Sequence, residues 1–262
     1  IGFGISGGAA ALEAARAGAK VILLERAAEY GGTSAMAGGH FYLGGGTAVQ
    51  QAVGVEDSAA EMEKYLTAQS IDPDPEKIHA FATDSVEHFN WIEALGMQFE
   101  RSLYTEKAVI QPGTEGLMYT GNEKVWPFRE QAAYAPRGHQ VSGSGSIPGG
   151  YVAMQAVLGA AEAEGVPVQL ETAVIGLVVD ADDRVVGVKA RRDGQDTYIK
   201  ARKGVGMYQI DFKGVAAHAG NDHEKGRSAV TELAHWTLAL NTLTDYAAGT
   251  TVTGFVRFEV GA

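Results

Sequence analysis

IGFGISGG, residues 1–8, has glycines at positions 2, 4 and 7 and therefore fits the pattern G-x-G-x-x-G. Glycines at this spacing allow a tight turn into a helix, whose first backbone amides can surround a pyrophosphate. The pattern requires a strand in front of it, and only Ile1 of such a strand is present. We therefore expect a dinucleotide-binding unit that lacks its first strand. A glycine turn in another α/β fold is the alternative.

The residues that follow this turn support a β-α-β unit. Residues 9–17 are rich in alanine, the best helix former, and Gly18 is a natural C-terminal stop. Residues 20–25 form a short apolar run that ends in Glu25, which is typical of a buried parallel strand. Glu25 lies 23 positions after Gly2, near the offset at which an acid meets a ribose hydroxyl. A carboxylate there repels a 2′-phosphate, so NADP is disfavoured, while FAD and NAD both remain open.

The composition excludes several classes of function. The chain has 262 residues, a net charge of −11 and no cysteine. The acidic balance argues against a nucleic-acid partner, and the missing cysteines exclude disulfides and thiolate metal sites. No apolar run reaches the ~20 residues of a membrane span, and no signal peptide is recognisable. We therefore expect a cytoplasmic protein without a membrane span.

A second glycine-rich stretch, GGTSAMAGG at residues 31–39, extends the pattern. Its hydroxyl groups and exposed amides suit a phosphate, although taken alone it is also typical of a flexible loop. Together with the first 26 residues it resembles the flavoprotein family that includes fumarate reductase flavoprotein subunits and ketosteroid dehydrogenases. The resemblance implies FAD, with its pyrophosphate on the glycine turn, its ribose on the acid, and its flavin along the second stretch. The cofactor contacts that it implies here are Gly2, Gly4, Ile5, Ser6, Gly7, Glu25, Arg26, Gly31, Gly32, Thr33, Ser34, Gly38 and Gly39.

The middle of the chain begins with helices. Asp57 and Ser58 open a predicted helix over residues 59–69, and one or two more are predicted between Pro75 and Gly96. Their apolar residues recur every three or four positions and indicate a core face: Ile78, Phe81, Ala82, Val86, Phe89 and Ile92. We interpret His79 and His88 on these helices as structural or surface residues.

Residues 100–148 show no clear period, and the aromatic and basic residues there match no catalytic position. In the family this region covers the flavin and contributes to the substrate pocket, but a packed loop is the simpler interpretation of each residue. The residues concerned are Tyr104, Tyr119, Trp126, Phe128, Arg129, Tyr134, Arg137 and His139. The catalytic residues therefore stay unknown at this point.

A helix over residues 149–164 is followed by four predicted strands. They cover residues 166–171, 173–180, 184–191 and 197–201, with Asp/Gly turns between them. The flavoprotein family has the same order of helix and β-meander. By that resemblance, Ala173 or Val174 presents backbone atoms to the FAD adenine.

Residues 206–262 resemble something else. The segment FKGVAAHAG, followed by GRSAV at the start of a long helix, is similar to the dimerisation (lid) domain of carboxypeptidase G and aminoacylase-type zinc metallopeptidases. By that resemblance, His218 would reach into the active site of a partner subunit. The zinc ligands of that family lie on another domain. Four local residues, His218, Asp222, His223 and Glu224, could approach a metal, although hydrated charges are the commoner outcome. We predict no metal site.

These observations predict an α/β protein with two parts. Residues 1–205 form a Rossmann-like FAD-binding domain with a helical or loop cap insertion and a β-meander, lacking the first strand and the C-terminal part. Residues 206–262 form a partial ferredoxin-like α/β sandwich. The predicted function is that of an FAD-binding oxidoreductase, with hydride transfer between flavin and an activated C–C bond of a small-molecule enone, ketosteroid or fumarate-like substrate. An incomplete and inactive chain that only binds FAD is the other form of this prediction. The alternatives are a non-catalytic dimerisation module, with a homodimer through 206–262, or a fused or truncated (chimeric) fragment related to the peptidases.

Overall fold

The computed structural model describes residues 1–108, 111–143 and 148–206. The sandwich, dimer contacts and local metal cluster predicted for residues 206–262 therefore lie outside the described residues, apart from Gly206 itself. The elements run in the order α1 Ile5–Arg16, β1 Leu23–Leu24, α2 Gly32–Met36, β2 His40–Tyr42, α3 Ala48–Ala52, α4 Ala59–Gln69, α5 Pro75–Thr83, α6 Ser85–Ala94, β3 Leu103–Lys107, β4 Leu117–Tyr119, α7 Phe128–Gln131, β5 Gly138–Gln140, α8 Gly149–Ala163, β6 Val168–Gln169, β7 Ala173–Val179, β8 Val185–Arg192 and β9 Gln195–Lys200.

The first layer is the predicted Rossmann-like unit. Helix α1 begins directly after Gly4 and buries Gly8, Ala11 and Leu12. Strand β1 pairs in parallel with β6, and the backbone N–H of Gly2 donates to the Leu24 carbonyl at 2.8 Å. A parallel pair in which α1 precedes one strand and α8 precedes the other is the arrangement expected of a dinucleotide-binding fold, and the α/β class is confirmed. The ladder is shorter than the predicted strand over 20–25, because only two residues of β1 pair with β6.

The helical layer follows the prediction closely. Ser58 caps α4 by accepting from the Glu61 amide, and Asp74 caps α5, with Pro75 in the first turn. The apolar stripe contributes Ile78, Phe81, Ala82, Phe89 and Ile92 to the core. Of the two histidines, His79 pairs with Glu63 at the surface and His88 is buried in the interior.

Residues 100–148 correct the expectation of an irregular loop. They contribute three of the four strands of a sheet with the order β2-β5-β4-β3. Two of these strands have three residues, and β3 has a register shift between Tyr104 and Lys107, so no alternation long enough to recognise exists in the sequence. The glycine stretch 31–39 contains the short helix α2 and leads into β2. The alternative interpretation of this stretch as an entirely irregular loop is therefore wrong.

The third sheet is the predicted meander. Strands β7, β8 and β9 are antiparallel neighbours in chain order, which places each turn where the Asp/Gly signals lie. Asp193 and Gly194 have φ values of +52° and +75°, the left-handed conformations of a two-residue hairpin turn. The predicted strand 166–171 is again shorter than expected, with β6 limited to Val168–Gln169. Among the helices of the described ranges, none is long and apolar enough to cross a membrane.

Candidate functional site

Each of the three glycines in the turn is required for a different structural reason. Gly2 has φ +82°, a conformation that L side chains rarely adopt. Gly4 precedes α1 directly, and a Cβ on it would lie 3.3 Å from the Ser34 hydroxyl oxygen. A Cβ on Gly7 would overlap the carbonyl oxygen of Gly2. The turn therefore brings the start of α1 against the preceding backbone at a distance that only glycine allows.

The first turn of α1 presents amide groups that the helix itself does not use. The Gly8 N–H donates to the Gly4 carbonyl at 2.9 Å, and the Ile5 N–H donates to Ser34 Oγ at 3.1 Å. Between them, the N–H groups of Ser6 and Gly7 meet no acceptor within the described ranges. The first turn also carries no acidic side chain. Free amides at the positive end of a 12-residue helix are a suitable site for a diphosphate.

Glu25 lies at the same turn, directly after β1. Its Oε2 accepts from the Phe3 N–H at 2.7 Å, and its Oε1 accepts from the Ala27 N–H at 2.8 Å. The side chain is half-buried. A carboxylate offers about four acceptor positions, so two amide bonds fix its orientation and leave capacity for hydroxyl donors. Glu25 is thus oriented beside the glycine turn, as a ribose-binding acid requires.

The second glycine stretch is joined to the first by backbone and side-chain bonds. Gly31 has φ +98°, and its N–H donates to the Phe3 carbonyl at 2.6 Å. Ser34, in α2, accepts from Ile5 at the start of α1. At the far end of the stretch, the Gly38 carbonyl accepts from Gln140 Nε2 at 3.0 Å, and the Gly39 carbonyl accepts from the Val141 N–H at 3.0 Å.

The remaining predicted contacts lie around these two stretches. Thr172, which precedes Ala173 and Val174, donates its N–H to the Glu25 carbonyl at 2.8 Å, so the start of β7 adjoins the turn. Arg26, Gly32 and Thr33 are exposed. The structure therefore brings Gly2, Gly4, Ile5, Gly7, Glu25, Gly31 and Ser34 to one junction, with Ser6 between Ile5 and Gly7 in the chain and with Ala173 and Val174 alongside. Gly38 and Gly39 are instead bonded to the strand end at β5.

Sequence reasoning missed a buried ion pair next to the loop that follows β2. Arg137 donates to Asp57 through Nε at 2.9 Å and through Nη2 at 2.7 Å, and the two side chains are 0% and 1% exposed. Burial acts to raise the pKa of Asp57, but the hydrogen bonds and charge of Arg137 outweigh it and lower that pKa. The same carboxylate also accepts from the Gly45 N–H and from Gln50 Nε2. The pair therefore fixes the glycine loop that follows β2.

His139 completes this network in its neutral form. Burial lowers the pKa of His139 to about 4. Its Nδ1 lies 3.0 Å from the Arg137 carbonyl, which can only accept, so Nδ1 carries the proton. Nε2 then accepts from the Thr47 hydroxyl at 2.8 Å. The sequence spacing of these residues carried no signal, because they come from positions 47, 57, 137 and 139 and meet only in the fold. Across the described ranges, no group of three or more His, Cys, Asp or Glu residues could hold a metal ion.

Comparisons with known proteins bear on the family and the fold. A family model described as an FAD binding domain matches residues 1–242. Two curated proteins are similar to the chain. The 3-oxo-5-alpha-steroid 4-dehydrogenase of Comamonas testosteroni is 31% identical over 72% of this chain and 36% of its own length. The probable fumarate reductase Ifc3 of Shewanella frigidimarina is 27% identical over 84% of this chain and 31% of its own length.

Two solved structures show the same relationship in three dimensions. The 3-ketosteroid-Δ4-(5α)-dehydrogenase of Rhodococcus jostii RHA1, solved with 4-androstene-3,17-dione, is 43% identical, with a TM-score of 0.73 over 78% of this chain and 43% of that one. The open conformation of a flavocytochrome c3 fumarate reductase is 25% identical, with a TM-score of 0.60 over 78% of this chain and 32% of that one. The chain thus spans about a third of the length of the curated relatives. The likeness of residues 206–262 to a peptidase domain receives no support from these comparisons.

Proposed function

Because the chain belongs to the family of FAD-binding domains, we propose that it is the FAD-binding part of an oxidoreductase that transfers hydride between flavin and an activated C–C bond. Family membership resolves the choice that the sequence left open between FAD and NAD in favour of FAD. The substrate class follows from the relatives: one is a steroid dehydrogenase acting on a 3-oxo-5α-steroid and another is a probable fumarate reductase. An enone, a ketosteroid or an unsaturated dicarboxylate fits this range.

The observation that carries the proposal is the junction of the glycine turn, Glu25 and Ser34. The unused amides of Ser6 and Gly7 would hold the diphosphate, and Glu25 would accept hydrogen bonds from the ribose hydroxyls. Ser34 joins α2 to the start of α1, and Gly32 and Thr33 precede it in the same helix. When bound, the flavin supplies the hydride chemistry, and the described residues supply binding and orientation. No described residue is assigned a catalytic role.

The proposal predicts that the purified protein carries flavin absorbance or gains thermal stability when FAD is added. Glu25→Gln should weaken FAD binding about tenfold, since a glutamine can satisfy only one of the two amides and loses the charge-assisted bond to ribose. A titration followed by flavin fluorescence measures the affinity. Glu29→Gln changes an exposed glutamate four positions away and should leave FAD affinity unchanged. A protein with neither flavin absorbance nor stabilisation by FAD contradicts the proposal.

The association module remains a separate proposal for residues 206–262, with a domain boundary near Val205. Its support is the similarity of that segment to a peptidase dimerisation domain, and the segment lies outside the described residues except for Gly206. The family model extends to residue 242 and so runs across this boundary. Light scattering coupled to size exclusion should show a dimer if the module associates. A monomer at high protein concentration removes the proposal and leaves the FAD prediction untouched.

A further inference from the structure

A buried polar cluster lies beside the ion pair, formed by Tyr42, Tyr65, Glu123 and Arg137; we refer to it as the Tyr42 cluster. Tyr42 comes from β2, Tyr65 from α4, and Glu123 from the connection that follows β4. The Arg137 guanidinium lies 5.6 Å from the centre of the Tyr65 ring, and the Tyr42 and Tyr65 rings are 6.4 Å apart. Glu123 is 1% exposed. Four polar groups from separate parts of the chain thus meet in the interior.

The hydrogen bonds of Glu123 satisfy only one of its two oxygens. Oε1 accepts from the Tyr42 hydroxyl at 2.9 Å and from the Gly121 N–H at 3.3 Å. Oε2 is fully buried and has no partner among the described residues. Burial raises the pKa of Glu123, which reflects the cost of a charge at this position. One strong acceptor therefore remains unpaired.

Arg137 leaves a matching donor unpaired. Its Nε and Nη2 atoms bind Asp57, and Nη1 is buried without a partner among the described residues. Burial acts to lower the pKa of Arg137, while the hydrogen bond with Asp57 and then the interaction with Tyr42 raise it. The Tyr42 hydroxyl that donates to Glu123 therefore also lies near the guanidinium. Arg137 forms no ion pair with Glu123 among the described residues, so the two groups are more than 4.0 Å apart. The side chains that carry the unpaired donor and the unpaired acceptor therefore both lie near the Tyr42 hydroxyl, and they do not pair with each other directly.

The chemistry of Arg137 Nη1 and Glu123 Oε2 determines which kind of molecule can bind between them. A buried unpaired group costs about 1–3 kcal/mol, so native interiors satisfy such groups with protein or ordered water. A cation between the two groups would be repelled by the guanidinium, and an anion would be repelled by the carboxylate. A neutral molecule that both accepts and donates satisfies both atoms, and water is the smallest that does so.

We propose that the Tyr42 cluster is a specific internal hydration site, in which one bound water accepts from Arg137 Nη1 and donates to Glu123 Oε2. This water completes a hydrogen-bonded connection from Asp57 through Arg137 to Glu123 and Tyr42. Strand β2, which carries Tyr42, directly follows Gly38 and Gly39 of the second glycine stretch. The site therefore ties the end of that stretch to the sheet and to α4.

A crystal structure that resolves ordered water tests the site directly. We expect one density peak within hydrogen-bond distance of both Arg137 Nη1 and Glu123 Oε2. Crystals grown in bromide distinguish water from a small anion, because bromide gives an anomalous signal. An anomalous peak at the site, a direct Arg137–Glu123 contact, or a space without density between the two atoms overturns the proposal.

A solution measurement makes the test independent of crystals. Relaxation dispersion of ¹⁷O-water counts internal waters with long residence times. Glu123→Met removes the acceptor with a side chain of similar length, and we expect one fewer long-lived water than in the wild type. Glu130→Met, at a glutamate whose side chain is 63% exposed on α7, is the matched control and should leave the count unchanged. Equal counts in the wild type and Glu123→Met overturn the proposal.

Discussion

Arg137→Met is expected to lower the free energy of unfolding by about 3–5 kcal/mol, because it removes one partner of a fully buried ion pair. The Asp57 carboxylate would keep its bonds from the Gly45 N–H and Gln50 Nε2 but lose both bonds from the guanidinium. An uncompensated buried charge costs far more than a lost surface contact. Urea denaturation at neutral pH, followed by far-UV circular dichroism, measures the change.

The pH dependence identifies the cause of this loss. In the wild type the pKa of Asp57 is lowered, so its contribution is present above the unfolded pKa and is lost as the pH falls through the folded pKa. In Arg137→Met the opposing guanidinium is gone, so burial, the largest effect on this carboxyl, acts to raise the pKa of Asp57 relative to the wild type. The variant is then least stable, relative to the wild type, near neutral pH. The difference between the two should shrink as the pH falls from about 7 towards about 4.

A matched control separates the buried pair from a general effect of removing arginine. Arg129 on α7 pairs with Glu130 at the surface, with side chains 52% and 63% exposed. Arg129→Met should change the free energy of unfolding by less than about 1 kcal/mol. The interpretation is contradicted if Arg137→Met costs no more than this control, or if its cost is the same at pH 5 and pH 7.

The ion pair also illustrates what the sequence could not predict. Helices α1, α4 and α5 were predictable because their signals are local: Gly4 before α1, Ser58 before α4, and Pro75 in the first turn of α5. Arg137 and Asp57 are 80 positions apart, and each looks like an ordinary loop or cap residue in its own segment. Their pairing arises from tertiary packing, which no periodicity encodes.

Strand length explains the remaining difference between sequence and structure. The meander was recognisable because β8 has eight residues and the turn that follows it contains Asp193 and Gly194. Strands β4 and β5 have three residues each, too few for alternation to stand out from the surrounding residues. The candidate site could be predicted because its glycines are required by close backbone contacts. Such glycines recur at a fixed spacing that can be recognised in the sequence.

Gly7→Ala is expected to weaken FAD binding by about 100-fold or more. A Cβ at this position would overlap the carbonyl oxygen of Gly2, which is backbone and cannot rotate away. The start of α1 must therefore move from the preceding turn, and overpacking of this kind costs about 1–3 kcal/mol or more. The displacement would move the amides of Ser6 and Gly7, to which we assign the diphosphate, and each 1.4 kcal/mol lost from binding is tenfold in affinity. Fluorescence titration with FAD measures the loss.

Gly159→Ala provides the same chemical change at a position where nothing opposes it. Gly159 lies on an exposed face of α8, and a Cβ there has no atom within 4 Å. Alanine favours the helix by about 0.5–1 kcal/mol, so this variant should be slightly more stable and bind FAD as the wild type does. Gly7→Ala could instead retain wild-type affinity while Gly159→Ala behaves as expected. The close contact between Gly7 and Gly2 would then not hold the amides in place for the diphosphate. The assignment of the cofactor to this turn would be wrong.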